Sequence, residues 1–133
     1  MSFVVIDTNI ASFLFDGDTR AALYDRHLKG SIVGLPFQVR AEMLLGAEVA
    51  SWGARRVASL ENFLASFITV PYSEEVVRGW VTIMARARRI GRALEAEDGW
   101  IAACALASEA ALITHDPDFR KLGVKGLRVI CRA

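Results

Sequence analysis

The sequence predicts an α/β fold, a parallel sheet covered by helices on both faces. Three observations predict it. Short apolar runs rich in β-branched residues recur along the chain, stretches with helical periodicity separate them, and the runs lack the polar alternation of a strand with one wet face. Phe3-Val4-Val5-Ile6 reads as a first, buried strand. A short helix is expected over residues 10–15, then a turn at Asp16-Gly17-Asp18. Asp18 is placed to cap a helix running to about Lys29. A second strand is expected over 31–34, helices over 37–50 and 54–66, and a third strand over 67–70. Ser73-Glu74-Glu75 opens a helix to about Arg89, with acids in its first turn where the helix dipole favours them. A helix over 95–109, a strand over 111–114 and a last strand over 127–130 complete the pattern. No repeat, low-complexity tract or linker interrupts it, and 133 residues suit a single domain over 1–133.

Composition narrows the class. Hydrophobic residues make up 53% and mean hydropathy is +0.32. The most apolar stretch, 99–113, is interrupted by Glu109 and is shorter than the roughly 18–20 residues a membrane span needs. The first seven residues lack a basic region and reach Asp7 after four apolar positions, so no signal peptide is expected. The apolar excess fits a buried sheet plus an oligomer or partner interface. Net charge is +1, so bulk charge announces no nucleic-acid binder. Arg86, Arg88, Arg89 and Arg92 nonetheless crowd one segment; Arg86, Arg89 and Arg92 are candidates for phosphate or partner contacts, against a solvated helix face. Cys104 and Cys131 have no metal-like spacing and read as reduced, buried cytosolic thiols.

In a parallel sheet, ligand sites gather beyond the carboxyl ends of the strands. Asp7 follows the first strand and Asp116 follows the fourth. Each has a plain alternative as a helix cap, Asp116 with Pro117 behind it, and capping is compatible with metal binding. Glu42 shares a helix face with Val39, Leu45, Gly46 and Val49, and a carboxylate buried on an apolar stripe needs a partner or a cation. Arg40 points nearly the opposite way; Arg55 remains an alternative partner. Asp98 lies near the start of a helix, on the face of Leu94, Ile101, Ala102 and Ala105, while Glu97 turns away and Glu95 sits at the margin as an accessory candidate. Four carboxylates directed into one domain repel one another without a cation. An oxygen-only ligand set suits Mg2+ or Mn2+, and no thiolate or imidazole cluster suggests zinc. His27 and His115 are isolated in sequence; His115 adjoins Asp116 but a lone turn histidine is more often incidental.

These segments stand in a telling order: Asp7-Thr8-Asn9 after an opening strand, Glu42 with Leu45-Gly46 behind it, Asp98-Gly99-Trp100-Ile101-Ala102-Ala103, and Thr114-His115-Asp116-Pro117-Asp118-Phe119. Together they resemble the PIN-domain family, in particular the VapC-type toxin ribonucleases of toxin–antitoxin pairs, from Val4 to Val129. The resemblance implies a three-layer α/β/α sandwich, a cytoplasmic homodimer, a VapB-type antitoxin partner, and Mg2+- or Mn2+-dependent cleavage of RNA. It carries metal-ligand and catalytic roles onto Asp7, Glu42, Asp98 and Asp116, and supporting roles onto Thr8, Asn9 and Thr114. His115 departs from the frequent arginine at its position, and Asp118 adds an acid not expected to touch metal directly. The reaction implied is metal-assisted phosphodiester hydrolysis leaving a 5′-phosphate and a 3′-hydroxyl, with Asp7 and Asp116 as direct ligands and Glu42 and Asp98 acting through water or a second ion.

Competing classes fail on particular residues. Aspartyl phosphotransferases want a second aspartate two positions after the first, where this chain has Asn9. Receiver domains want an aspartate ending the third strand, where Val70 leads to Pro71. A non-toxin PIN nuclease, or a PIN module that only binds RNA or protein, stays as the alternative. Retention of all four acids favours an enzyme, and Mn2+ uptake separates enzyme from binding module.

Overall fold

The computed structural model describes residues 2–133. Five strands, β1 (Phe3–Ile6), β2 (Ile32–Pro36), β3 (Ile68–Val70), β4 (Ala111–Ile113) and β5 (Val129–Ile130), form one sheet in the order β3-β2-β1-β4-β5. Every neighbouring pair is parallel. The chain steps from β1 out to β3, then returns to the other flank of β1 with β4. That reversal makes the gap between β1 and β4 the switch point of the sheet, where a crevice opens beyond the strand ends. The two strands pair as Val4↔Ala111, Val5↔Leu112 and Ile6↔Ile113, and the Asp7 amide extends the ladder by donating to the Ile113 carbonyl at 3.0 Å.

Six α-helices surround the sheet: α1 (Thr8–Asp16), α2 (Asp25–Leu28), α3 (Phe37–Val49), α4 (Ala54–Ala65), α5 (Glu74–Arg89) and α6 (Ala96–Ala107). Successive strand residues point to opposite faces, so the burial of Val4, Val5 and Ile6 in β1 and of Ala111, Leu112 and Ile113 in β4 requires cover on both sides. The result is a three-layer α/β/α sandwich with β1 at its centre. α6 is the most deeply set helix, with Ile101 to Ala105 all buried. Its small residues permit this: a Cβ placed on Gly79 of α5 would lie 3.4 Å from Ala103, so the two helices pack nearly backbone to backbone. Among the described residues no helix is long and apolar enough to cross a membrane.

Most expected elements stand where the pattern puts them, with ends shifted by at most two residues. One differs in kind. The helix expected from Asp18 to Lys29 is a 3-10 segment (Thr19–Tyr24) followed by the single turn of α2. Asp18 does cap it, accepting from the Arg20 amide at 2.9 Å. The break comes at Tyr24, which is fully buried and whose hydroxyl accepts from the Arg132 amide at 2.9 Å. Anchoring that hydroxyl in the core sets the winding, and three residues per turn replace 3.6. A second 3-10 segment (Pro117–Lys121) follows β4. The last strand has only two residues, although the Arg128 carbonyl still accepts from the Leu112 amide at 2.8 Å.

Candidate active site

Asp7 is the first residue beyond β1, and Thr114 and Asp116 lie just beyond β4, at the switch point. Asp7 is also the N-cap of α1, its Oδ1 accepting from the Thr8 amide at 2.7 Å. Its Oδ2 accepts from the fully buried Thr114 hydroxyl at 2.7 Å. The same Thr114 oxygen accepts from the Asp116 amide at 3.1 Å, and Asp116 Oδ1 accepts from the Asp118 amide at 2.9 Å. Asp116 therefore caps its 3-10 segment as Asp7 caps α1, and in both cases the cap and the cluster are one arrangement. Asn9 links the two loops: its Nδ2 reaches Asp7 Oδ2 at 3.4 Å and its Oδ1 accepts from the His115 amide at 3.0 Å.

Glu42 joins from α3, where its Oε2 accepts from the Thr8 hydroxyl at 2.5 Å. The expected reason for its position needs correction. The stripe it shares is largely in solvent: Leu45 is 61% and Val49 76% exposed. Glu42 is held by a hydroxyl on α1, not trapped in an apolar core. Asp98 comes from the first turn of α6, whose positive end favours an anion. It is half-buried, on the side of α6 that faces the other acids. Glu95 and Glu97 are exposed, and so is Asp118.

The four acids act on one another electrostatically. The Asp98 carboxyl is pushed up to about 6, first by burial and then by the charges of Asp7, Asp116 and Glu42, with Glu97 adding least. Burial also raises Asp7, the Thr114 and Thr8 hydrogen bonds pull it back, and Glu42 and Asp116 push it up again. Among the described residues the ion pairs, Arg20–Asp18 and Arg78–Glu74, are on the surface and involve none of the four. Also among the described residues, no three carboxylate, imidazole or thiol groups stand close enough as placed to enclose an ion. The donors present are hard oxygens with lone pairs to spare beyond their hydroxyl and amide contacts, and their mutual repulsion is what a hard divalent cation would relieve.

Several neighbours escaped the sequence reading. His115 is not an idle turn residue. Its Nδ1 lies 2.5 Å from the Tyr24 hydroxyl, and its ring packs edge-on against Phe13. The Tyr24 hydroxyl is also 3.2 Å from the Thr114 carbonyl, so its one proton serves either that oxygen or the imidazole. Trp52, in the loop before α4, and Arg56 in its first turn line a cleft beside Glu42 and Thr8. A larger cleft, of about 470 Å3, touches the acid cluster only through Asp118. Of the arginines singled out, Arg86 is committed to structure, its Nε donating to the Leu122 carbonyl at 2.9 Å. Arg89 is exposed, and Arg92 borders the larger cleft.

Comparison with known proteins agrees with this fold. The PIN domain family matches residues 4–125. Ribonuclease VapC5 of Mycobacterium tuberculosis is 32% identical over 88 residues, spanning 65% of this chain and 64% of that protein's length. A solved member of the VapBC family of toxin-antitoxin systems, VapBC-5 from the same organism, superposes with a TM-score of 0.73 at 25% identity, covering 99% of this chain and 100% of that one. VapBC2 from Rickettsia felis, solved with a DNA fragment from their promoter, shares the fold with a TM-score of 0.83 at 18% identity, over 98% and 99% of the two chains. With the family matched from β1 to the loop before β5, and with its acids gathered at the switch point of the sheet, this chain belongs to the PIN-domain family.

Proposed function

We propose that this protein is a divalent-metal-dependent endoribonuclease, the VapC-type toxin of a toxin–antitoxin pair. One observation carries the reading: Asp7, Glu42, Asp98 and Asp116 are brought together beyond the ends of β1 and β4, with no basic side chain paired to any of them among the described residues. A merely structural cluster would be expected to include an arginine or lysine, because uncompensated buried charge is costly. The names of the similar proteins, a ribonuclease and toxin-antitoxin complexes, support the same reading.

Asp7, Glu42, Asp98 and Asp116 would hold Mg2+ or Mn2+, which supplies activation of water and neutralisation of charge at the scissile phosphate. The chain's own contribution is orientation. Thr114 fixes one oxygen of Asp7 and the backbone of Asp116 together, Thr8 ties Asp7 to Glu42, and Asn9 keeps the β1 and β4 loops in register. Glu95 and Asp118 belong to the periphery: both are exposed, and Asp118 meets the cluster through its amide, not its carboxylate. The protein acts in the cytoplasm as a homodimer held in check by a VapB-type antitoxin. The exposed Phe37, Leu45, Val49 and Ile68 supply apolar surface for such partners.

The decisive variant is Asp7→Asn. It is expected to abolish Mn2+-dependent RNA cleavage while leaving the circular dichroism of the fold intact. Wild-type products are expected to carry a 5′-phosphate and a 3′-hydroxyl. Full cleavage by Asp7→Asn would sink the proposal.

A further inference from the structure

The cleft beside Glu42 joins Thr8 and Glu42 of the acid cluster to a set of residues that the cluster does not use. It encloses about 290 Å3, near the lower limit of small-ligand sites and sized for one nucleotide. Thr8 and Glu42 form its inner wall, so whatever enters it lies next to the acids. Phe15, Met43 and Trp52 supply half-buried apolar sides. Arg56 lies across one face of Trp52, its guanidinium carbon 3.6 Å from the ring centroid, and the Phe15 ring runs nearly parallel to Trp52, 6.0 Å away between centroids and tilted by 19°. Such stacking holds a cation flat in one place instead of leaving it to sweep through solvent. Among the described residues Arg56 pairs with no carboxylate, although Glu42 and Asp16 share its cleft. An unpaired arginine beside these acids offers a place for an anion that the acids alone would repel.

We propose that this cleft seats the nucleotide adjoining the scissile phosphate of an unpaired RNA strand, with its base against Phe15, Met43 and Trp52 and its outer phosphate on Arg56. This rests on the ribonuclease reading of the acids. Arg56 already covers one face of Trp52, so the base meets what that ring leaves open and the Met43 thioether. A paired base cannot enter so small a recess, which restricts the substrate to single strands, loops or bulges. Asp16 only accepts hydrogen bonds when ionised; adenine, cytosine and guanine offer it an exocyclic amino group, whereas the N3–H of uracil is flanked by two carbonyl oxygens that repel a carboxylate, so uracil binds weakest.

The four nucleoside 5′-monophosphates, titrated in Mg2+ against isotope-labelled protein, test the site without any cleavage. The Trp52 indole N–H and Arg56 Nε–H resonances are expected to shift saturably, with the uridine nucleotide weakest. Arg56 is exposed, so Arg56→Gln keeps the fold, and it is expected to weaken the preferred nucleotide roughly five-fold or more. Unmoved resonances, equal binding of ribose 5-phosphate, or equal binding of all four bases would each overturn the proposal. An apolar peptide that moves these resonances while nucleotides do not would assign the cleft to a protein partner instead. On RNA, Arg56→Gln and Trp52→Leu are expected to raise KM more than they lower kcat and to flatten base preference beside the cut. A wild-type protein that binds nucleotides here but cleaves no RNA sinks only the nuclease reading; one that cleaves RNA indifferently to both changes sinks only the subsite.

Discussion

Thr114 shows how much of this site depends on a single uncharged atom. Its hydroxyl donates to Asp7 and accepts from the Asp116 amide, and the residue is fully buried. Thr114→Val keeps the shape but strands both partners, which should cost about 1–3 kcal/mol of stability in urea unfolding. The donor also favours ionised Asp7, so its loss raises the Asp7 pKa further. In the proposed reaction Asp7 would hold the metal only when ionised, so the acidic limb of the pH–cleavage profile should move to higher pH in this variant. An unmoved limb would mean that Thr114 serves the fold alone. The residue scale is also where sequence reasoning was most uneven. Capping and metal binding read as compatible roles for Asp7 and Asp116, and each side chain both caps a helical segment and joins the cluster. Glu42 was singled out for a buried stripe that is in fact exposed, because helical periodicity reports that apolar residues share a face, not that the face is covered.

At the scale of elements, the α5–α6 pair sets where Asp98 can stand. Gly99, the next residue, faces α5 so closely that an added Cβ would lie 2.5 Å from Met84 Sδ and 3.0 Å from Trp80 Nε1. Met84 can swing aside, but Trp80 is fixed by stacking on Trp100 at 4.6 Å and by donating to the Ala96 carbonyl at 3.2 Å. Gly99→Ala should therefore push α6 outward, costing about 1–3 kcal/mol and lowering cleavage as Asp98 shifts with it. Unchanged stability in thermal unfolding would show that the pair is looser than it looks. The strands and long helices were legible because buried parallel strands and amphipathic helices write their periods directly into the sequence. The 3-10 segment at Thr19–Tyr24 was not. Its residues satisfy helix propensity, and only the anchoring of the Tyr24 hydroxyl against the distant Arg132 and Thr114 backbone selects the tighter winding. The Trp52–Arg56 cleft was missed for a related reason, since it draws on α1, α3 and α4 together.

For the whole molecule, the acid cluster makes stability depend on protons and metal in opposition. A carboxyl whose folded pKa is raised binds its proton more tightly in the native state, so its contribution is greatest at low pH and is lost as pH rises through the folded value. For Asp98 the loss runs from about pH 4 to about pH 6, and the raised Asp7 acts in the same direction. Asp18, lowered to about 2 by Arg20, has the opposite sign, but its contribution changes only below the usual carboxylate range and leaves this window untouched. In EDTA, the wild-type protein should lose stability across pH 4–6, whereas Asp98→Asn should show a shallower decline and exceed the wild type at pH 7. Saturating Mn2+ should reverse that ranking. Ligand at about one hundred times its Kd stabilises by roughly 2.7 kcal/mol, which for a chain of this size raises Tm by roughly 10 °C. Asp98→Asn should gain much less. Calorimetric scans of the two proteins with and without Mn2+ provide the measurement. If Mn2+ leaves the wild-type Tm where it is, the acids are not a cation site; if Asp98→Asn is the less stable protein at pH 7 in EDTA, the repulsion inferred among them is not there to be relieved.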